Sequence, residues 1–279
     1  EDCRMNILQE IAEKRLVAVE QAKRQCSEQQ MRRMAEELAD AEKKAQGGFA
    51  FPFYQNLKKS TDGRMNLICE IKKASPSKGI ISEEFPYREK ALEYEQAGAG
   101  AISVLTEPNY FLGKDEYLKE ISAAVTIPTL RKDFLLDSYQ IYEAKTLGAS
   151  AVLLICSLLE AERLKDYLEI AHAIGLSALV EAHDESEVEK ALAAGAQIVG
   201  VNNRNLKDFT VDINNSLRLR KLVPQDKVFV SESGIRTEED IRVLSKAGVH
   251  AVLIGETMMR AGDTGETLRR LAGAGCDKG

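Results

Sequence analysis

Charged and amide residues stand at the ends of several short apolar runs: Glu70 and Lys72 in "NLICEIKKASPSKG", Lys132 in "PTLRKDF", Glu181 in "SALVEAH", Asn202 and Arg204 in "VGVNNRNL", Glu232 and Ser233 in "KVFVSESGI". A positioned ammonium can hand a proton to a carbonyl oxygen and a positioned carboxylate can take one, so the set has the parts for general acid–base chemistry. Glu70 and Lys72 are two residues apart, a spacing that sends both side chains of an extended strand to one face. Either that face meets water or it is a site. Lys132 and Glu181 are not set up to pair with a neighbour in sequence, which leaves each available for proton transfer. Three cations, Lys72, Lys132 and Arg204, in a chain of net charge -6 point to an anionic ligand. Partial desolvation of such an ammonium is expected to lower its pKa toward a useful range. "SESGI" and "LIGET" narrow the ligand, because Gly234 and Gly255 let backbone amides come close to a phosphate.

For these groups to meet, their runs must be strands of one sheet. The phrases "QAGAGAISVL", "TLGASAVLLI", "AIGLSALVE", "AAGAQIVGV" and "KAGVHAVLIG" place Gly98, Gly148, Gly175, Gly195 and Gly248 where a polar helical pattern stops and an apolar run begins. That is the position of a left-handed helix cap. With "NLICEI", "IPTLRKD" and "KVFVSES" there are eight apolar runs between about 67 and 256, separated by helical patterns such as "AERLKDYLEIAHAIG" and "TEEDIRVLSKAG". Nearly continuous apolar strands alternating with helices describe a parallel sheet covered on both faces. Eight such units favour a closed (β/α)8 TIM barrel, an α/β fold whose chemistry sits at the carboxyl ends of the strands and whose phosphate sites follow strands seven and eight. "GAGAIS" is not a dinucleotide fingerprint, since it follows a helix and enters a strand, the reverse of what pyrophosphate binding needs.

The 279 residues suffice for one such barrel of about 250 residues, here expected over 49–272, with a helical extension at 1–48 and a disordered tail at 273–279. Both ends are expected to be poorly ordered. The extension carries a loose apolar stripe, Ile7, Ile11, Met31, Met34 and Leu38, and is either a solvated appendage packed on the barrel or a lid near its mouth. "GGFAFPFYQNLKK" reads as a linker with aromatic anchors. The acidic balance argues against a nucleic-acid binder, and no apolar run approaches the roughly 20 residues of a membrane span. Nothing resembles a signal peptide. Cys69 and Cys156 fall inside apolar runs as small core residues, which suits a reducing, cytoplasmic setting. His172, His183 and His250 lack a partner at metal-ligand spacing and are expected to pack or face solvent, so no metal or other cofactor is expected.

Ordered motifs run from "ILQEIAEKR" through "EIKKASPSKG", "AISVLTEPNYFLG", "PTLRKDF", "LVEAH" and "VGVNNRNL" to "SESGI" and "LIGETMM", and in them the chain resembles the indole-3-glycerol-phosphate synthase family over about residues 6 to 271. The resemblance implies a phosphate-binding barrel with an N-terminal helical segment near its mouth. It also implies ring closure of 1-(2-carboxyphenylamino)-1-deoxyribulose 5-phosphate to indole-3-glycerol phosphate, carbon dioxide and water, in tryptophan biosynthesis. Carried over by position, Lys132 leads as general acid at the ketone oxygen, and Glu181 is the acid/base of the later dehydration. Lys72, held by Glu70, meets substrate charge or shares the acid role, a choice that sequence leaves open. Asn202 and Ser233 match polar catalytic positions, and Arg204 faces the anthranilate carboxylate. Ser75, Gly234, Gly255 and Glu256, the last through its amide, match the phosphate grip, and Phe111, Phe134 and Leu206 the apolar wall. The implied partner is a small phosphorylated substrate, with neither nucleic acid nor membrane, and the chain is expected to act as a monomer or weak homodimer. Sister barrels are the nearest alternatives, but phosphoribosylanthranilate isomerase would use a Cys and Asp pair and the tryptophan synthase α subunit two carboxylates. A noncatalytic phosphate sensor would need only the grip, not both lysines and Glu181.

Overall fold

Each of the eight apolar runs becomes a strand in the computed structural model of the chain, which describes residues 7–59, 63–205 and 209–276. The strands are β1 (Asn66–Ile71), β2 (Ala101–Leu105), β3 (Thr129–Lys132), β4 (Ala151–Ile155), β5 (Ser177–Ala182), β6 (Ile198–Asn202), β7 (Val228–Glu232) and β8 (Ala251–Ile254). All pair in parallel, each with its sequence neighbours, and β8 closes on β1. The (β/α)8 TIM barrel read from the sequence is therefore the fold. Helices follow the strands on the outside, among them α4 (Tyr87–Ala97), α5 (Asp115–Ala124), α6 (Ser138–Thr146), α7 (Ala161–Ala173) and α8 (Glu185–Ala193). The five glycines expected to cap helices all take left-handed φ, between 78° and 94°, where a side chain would be strained.

Alternation along the strands sorts the core into two layers. Leu67, Cys69 and Ile71 of β1 point outward into the cluster shared with the helices, while Ile68 points inward. The same holds for Ala178, Val180 and Ala182 of β5 against Leu179, and for Phe229 of β7 against Val228 and Val230. In five strands the inward series ends at the carboxyl edge with a polar residue in place of an apolar one: Glu70, Lys132, Glu181, Asn202 and Glu232.

The N-terminal half of the chain departs from expectation in two places. "GGFAFPFYQNLKK" is more than a linker. Pro52–Lys58 forms a helix, α3, whose Phe53 and Leu57, one turn apart, are fully buried in the inner cluster and close the bottom of the barrel. In the extension, α1 (Ile7–Gln25) buries Leu8, Ile11 and Val19, so that of its expected stripe Ile11 is buried and Ile7 only partly so. Helix α2 (Glu28–Gln46), capped by Ser27 and Gln30, buries Met31, Ala35 and Ala39, and leaves Met34 and Leu38 about half exposed. The expected stripe was one position off because alanines let α2 approach α6 closely, and close approach, not side-chain size, sets the buried face. Leu206 and both chain ends lie outside the described residues. Helix α12 (Thr264–Gly273) runs into a hydrogen-bonded turn that extends to Cys276. Among the described residues no helix is long and apolar enough to cross a membrane.

Candidate active site

The carboxyl ends of the strands enclose one cavity, and Glu70, Lys72, Ser75, Phe111, Lys132, Phe134, Glu181, Asn202, Arg204, Ser233, Gly234, Gly255 and Glu256 all line it. Every described residue assigned to the site from sequence is thus brought together. The elements do this by register. Glu181 sits beside Gly200, and Asn202 beside Glu232. A Cβ on Gly200 would collide with Glu232 Oε1, so the missing side chain on β6 is what admits the carboxyl of β7. Gly255 plays the same part for β1, since a Cβ there would meet Glu70 Oε2. Its glycine is therefore demanded by a carboxylate, in addition to any ligand. Gly234 has φ 82° and faces Val211, and the residue before it, Ser233, also has a left-handed φ of 69°. Strain of that kind in a non-glycine residue is typically held at functional sites by its surroundings. Here Asn203 Nδ2 donates to the Ser233 carbonyl at 3.0 Å.

Lys72 Nζ donates to Glu70 Oε2 at 2.5 Å, which answers why the two residues share a face: the buried carboxylate is the counter-ion of the half-buried ammonium. Burial disfavours the Glu70 anion, but Lys72 and Lys132 together hold its pKa below the ordinary carboxylate range. Lys132 Nζ lies 3.5 Å from Glu181 Oε2 and 3.8 Å from Glu232 Oε2. The lone cation and lone carboxylate of the sequence are therefore partners across the barrel. The expected lowering of the Lys132 pKa is also reversed: burial acts to lower it, and the charges of Glu181, Glu232 and Glu70 outweigh burial and raise it. Glu181 is shifted down, against burial, chiefly by Lys132 and then by His183, with help from Asn202.

Glu232 was visible at its strand end but belongs to the site more fully than sequence reasoning allowed. Burial and the neighbouring Glu181 push its carboxyl up to about 8, with Lys132 pulling the other way. With Glu232 shifted toward its neutral form, the acids of the mouth face three cations, Lys72, Lys132 and Arg204, and the mouth favours an anion. His183 is not the packing residue expected, since its Nε2 lies 3.5 Å from Glu181 Oε1. His250 does pack, its Nδ1 accepting the Phe229 N–H, and His172 rests edge-on against Phe51. Arg236 and the α1 residues Ile7, Leu8 and Ile11 also line the cavity. Arg236 follows a turn that the sequence reading took for a phosphate grip alone, and a cation two residues past Gly234 was the available signal.

The walls are built locally. Phe111 and Phe134 face each other with ring centroids 6.1 Å apart. Glu107 is fully buried and accepts the N–H groups of Asn109, Tyr110 and Phe111 at 2.7–3.0 Å, fixing the loop that carries Phe111. Arg204 N–H donates to Asn202 Oδ1 and its guanidinium to the Phe209 carbonyl, so the β6 loop holds itself over the mouth. The Glu256 carboxylate turns toward Lys78 and Arg260. Among the described residues no three His, Cys, Asp or Glu side chains are placed to hold a metal ion.

Among solved structures, 3-hexulose-6-phosphate synthase from Salmonella typhimurium superposes with a TM-score of 0.62 at 16% identity, over 75% of this chain and 98% of that one. Thiamine phosphate pyrophosphorylase from Pyrococcus furiosus gives 0.58 at 17%, over 77% and 96%. At such identity they speak for the barrel alone. Sequence relatives say more. The indole-3-glycerol phosphate synthase of Ruminiclostridium cellulolyticum is 57% identical over 268 residues, 96% of this chain and 99% of that protein. That of Endomicrobium trichonymphae is 61% identical over 207 residues, 74% of this chain and 80% of that protein. The family model described as indole-3-glycerol phosphate synthase matches residues 8–271. With this coverage and a barrel mouth of acids and ammonium groups, the chain belongs to the indole-3-glycerol phosphate synthase family, the decarboxylating lyases that close the indole ring in tryptophan biosynthesis.

Proposed function

We propose that Lys132 is the general acid of ring closure and Glu181 the acid/base of dehydration. The observation that carries this is the Lys132–Glu181 pair at 3.5 Å, an ion-pair distance longer than a hydrogen bond, which leaves both groups able to turn toward a substrate. As the aromatic ring carbon attacks the ketone, the oxygen gains charge and takes a proton from the Lys132 ammonium, which its carboxylate neighbours keep loaded. Loss of carbon dioxide restores the ring electrons. Departure of the new hydroxyl as water then needs a base at the adjacent carbon and an acid at oxygen; Glu181, held ionised, takes the proton from carbon and returns it to the leaving hydroxyl. Lys72, fixed by Glu70, binds substrate charge, Arg204 takes the anthranilate carboxylate, and Asn202 and Ser233 hold the polar atoms between them. Ser75 and the backbone at Gly234, Gly255 and Glu256 grip the phosphate, and Phe111, Phe134 and Leu206 flank the aromatic ring. Glu232, shifted toward its neutral form, competes less with Glu181 for Lys132.

The chain is taken to act as a monomer or weak homodimer, a matter for sedimentation equilibrium. Cys69 and Cys156 carry buried thiols outside any disulfide, which suits the cytoplasm. The residue 1–48 segment acts as an extension with α1 at the mouth, the barrel proper spanning 49–272. Fluorescence of indole-3-glycerol phosphate, followed on mixing with the carboxyphenylamino-deoxyribulose phosphate, tests the assignments in variants. A positioned acid or base contributes about 100- to 10,000-fold, so Lys132→Ala and Glu181→Gln should each lower kcat within that range and move KM much less. The two defects differ in kind. Substrate persists unchanged without Lys132, whereas a ring-closed, undehydrated species accumulates in single turnovers without Glu181. Near-normal kcat in Lys132→Ala would transfer the acid role to Lys72.

A further inference from the structure

The chemistry just assigned leaves His183 without a task, yet the structure holds it from two sides. It follows Glu181 by two residues at the end of β5 and is largely buried. Its Nδ1 lies 3.0 Å from Glu187 Oε2 on α8, and that same oxygen accepts its backbone N–H at 2.8 Å. Asn215 Nδ2 donates to its carbonyl at 3.0 Å. The ring is thereby fixed with Nε2 aimed at Glu181 Oε1, 3.5 Å away, and this Nε2 is buried with no hydrogen-bond partner among the described residues. Glu181 thus stands between two cations, His183 on Oε1 and Lys132 on Oε2. The other charged or titratable groups that act on the pair are Glu232 on β7, Glu70 on β1, Asp184 at the start of α8 and Cys156 at the end of β4, whose thiol burial keeps neutral.

We propose that His183 is a positioning residue for Glu181: clamped through Nδ1 by Glu187, it presents a protonated Nε2 to Oε1, fixes the carboxylate plane, and keeps Glu181 ionised for the dehydration step. This rests on the reading of Glu181 as the dehydration base. The tautomer follows from the clamp, since Nδ1–H donated to Glu187 leaves Nε2 as the atom that gains or loses the titrating proton. Burial acts to lower the His183 pKa, but the bond to Glu187 and the charges of Glu181 and Glu187 raise it on balance. The imidazolium therefore persists to higher pH than a free one.

The pH profiles of kcat and kcat/KM for the full chain carrying His183→Asn, Glu187→Gln or Glu181→Gln test this against the unmodified enzyme. An opposite charge at this range lowers a carboxyl by about one unit or more, so in His183→Asn the acidic limb should move up by about one pH unit while KM changes little. Glu187→Gln leaves the ring in place but loosens and discharges it, and should shift the limb the same way by less; it carries the test if His183→Asn does not fold. Glu181→Gln should lose activity at every pH. Profiles of both His183→Asn and Glu187→Gln that overlay the unmodified enzyme, with Glu181→Gln inactive, overturn the positioning role and leave the Glu181 reading standing. An active Glu181→Gln overturns both.

Discussion

Glu232 ends β7 fully buried among charges, with its carboxyl raised to about 8. A carboxyl whose folded value is raised costs stability as pH climbs from its ordinary value, about 4.3, through the folded one, at about 1.4 kcal/mol per unit. Glu232→Gln removes the ionisation and keeps the shape. The variant should therefore unfold at a higher temperature than the unmodified chain at pH 8–9, by an amount worth a few kcal/mol, and the gap should close near pH 4. Thermal unfolding followed by circular dichroism at pH 4, 7 and 9 reads this, and a gap independent of pH would refute it. Stability held back at a buried acid is what a site that places charge for chemistry requires.

Helix α1 is tied to the mouth where the acid sits. Arg15 donates to both oxygens of Asp133 at 2.6–3.1 Å, and Asp133, between Lys132 and Phe134, also accepts from Thr106 at 2.8 Å. Burial would raise the Asp133 pKa, but Arg15 and Arg131 hold it below the ordinary value. Stability from such a depressed carboxyl is full above its unfolded pKa and is lost as pH falls through the folded one. Arg15→Ala should cost about 3 kcal/mol at neutral pH, less at pH 3, and raise KM because Lys132 and Phe134 lose their anchor. Unfolding by urea at the two pH values, with KM at the higher, measures both effects; an unchanged KM would reduce α1 to a packing helix. In the loops, Gly255→Ala would drive a methyl into Glu70 and displace Lys72 from its partner. Misplacement by about 1 Å can cost about 100-fold, so kcat/KM should fall to that degree, and a variant within threefold of normal would mean the pair is not needed in that geometry. Gly234→Val cannot report on phosphate alone, since φ 82° and the contact with Val211 make it a folding lesion as well.

The barrel as a whole gathers acids, ammonium groups and backbone from six strands at one end, while α3 seals the other with Phe53 and Leu57. Buried apolar layers below the mouth give the charges a rigid floor, and their low polarity is why a few charges shift one another so strongly. In the proposed reaction the proton at the ketone oxygen comes from Lys132, where a metal enzyme would place a Lewis acid. Turnover is accordingly expected to survive exhaustive dialysis against EDTA. Activity lost to the chelator and restored by a divalent ion would show that the lysine does not act alone.

Much of this was legible in the chain before any coordinates. Eight strands, five left-handed caps and the inward line of Glu70, Lys132, Glu181 and Glu232 follow from period-two alternation and from glycine at helix ends, and these are properties of each segment in isolation. The family resemblance likewise placed Ser75, Phe111 and Phe134, which lie beyond the barrel strands, in the cavity lining. What stayed hidden were relations between segments. Lys132 paired with Glu181, His183 turned onto Glu181, Arg15 reaching Asp133 across 118 residues and the raised carboxyl of Glu232 depend on distances of a few ångströms between separate segments. The face of α2 was misread for the same reason, since the closeness of α6, not the hydrophobicity of Met34 and Leu38, selects the alanines. Local pattern says which way a side chain points; closure of the barrel sets how far it lies from the next charge, and electrostatic energy varies with that distance and with burial.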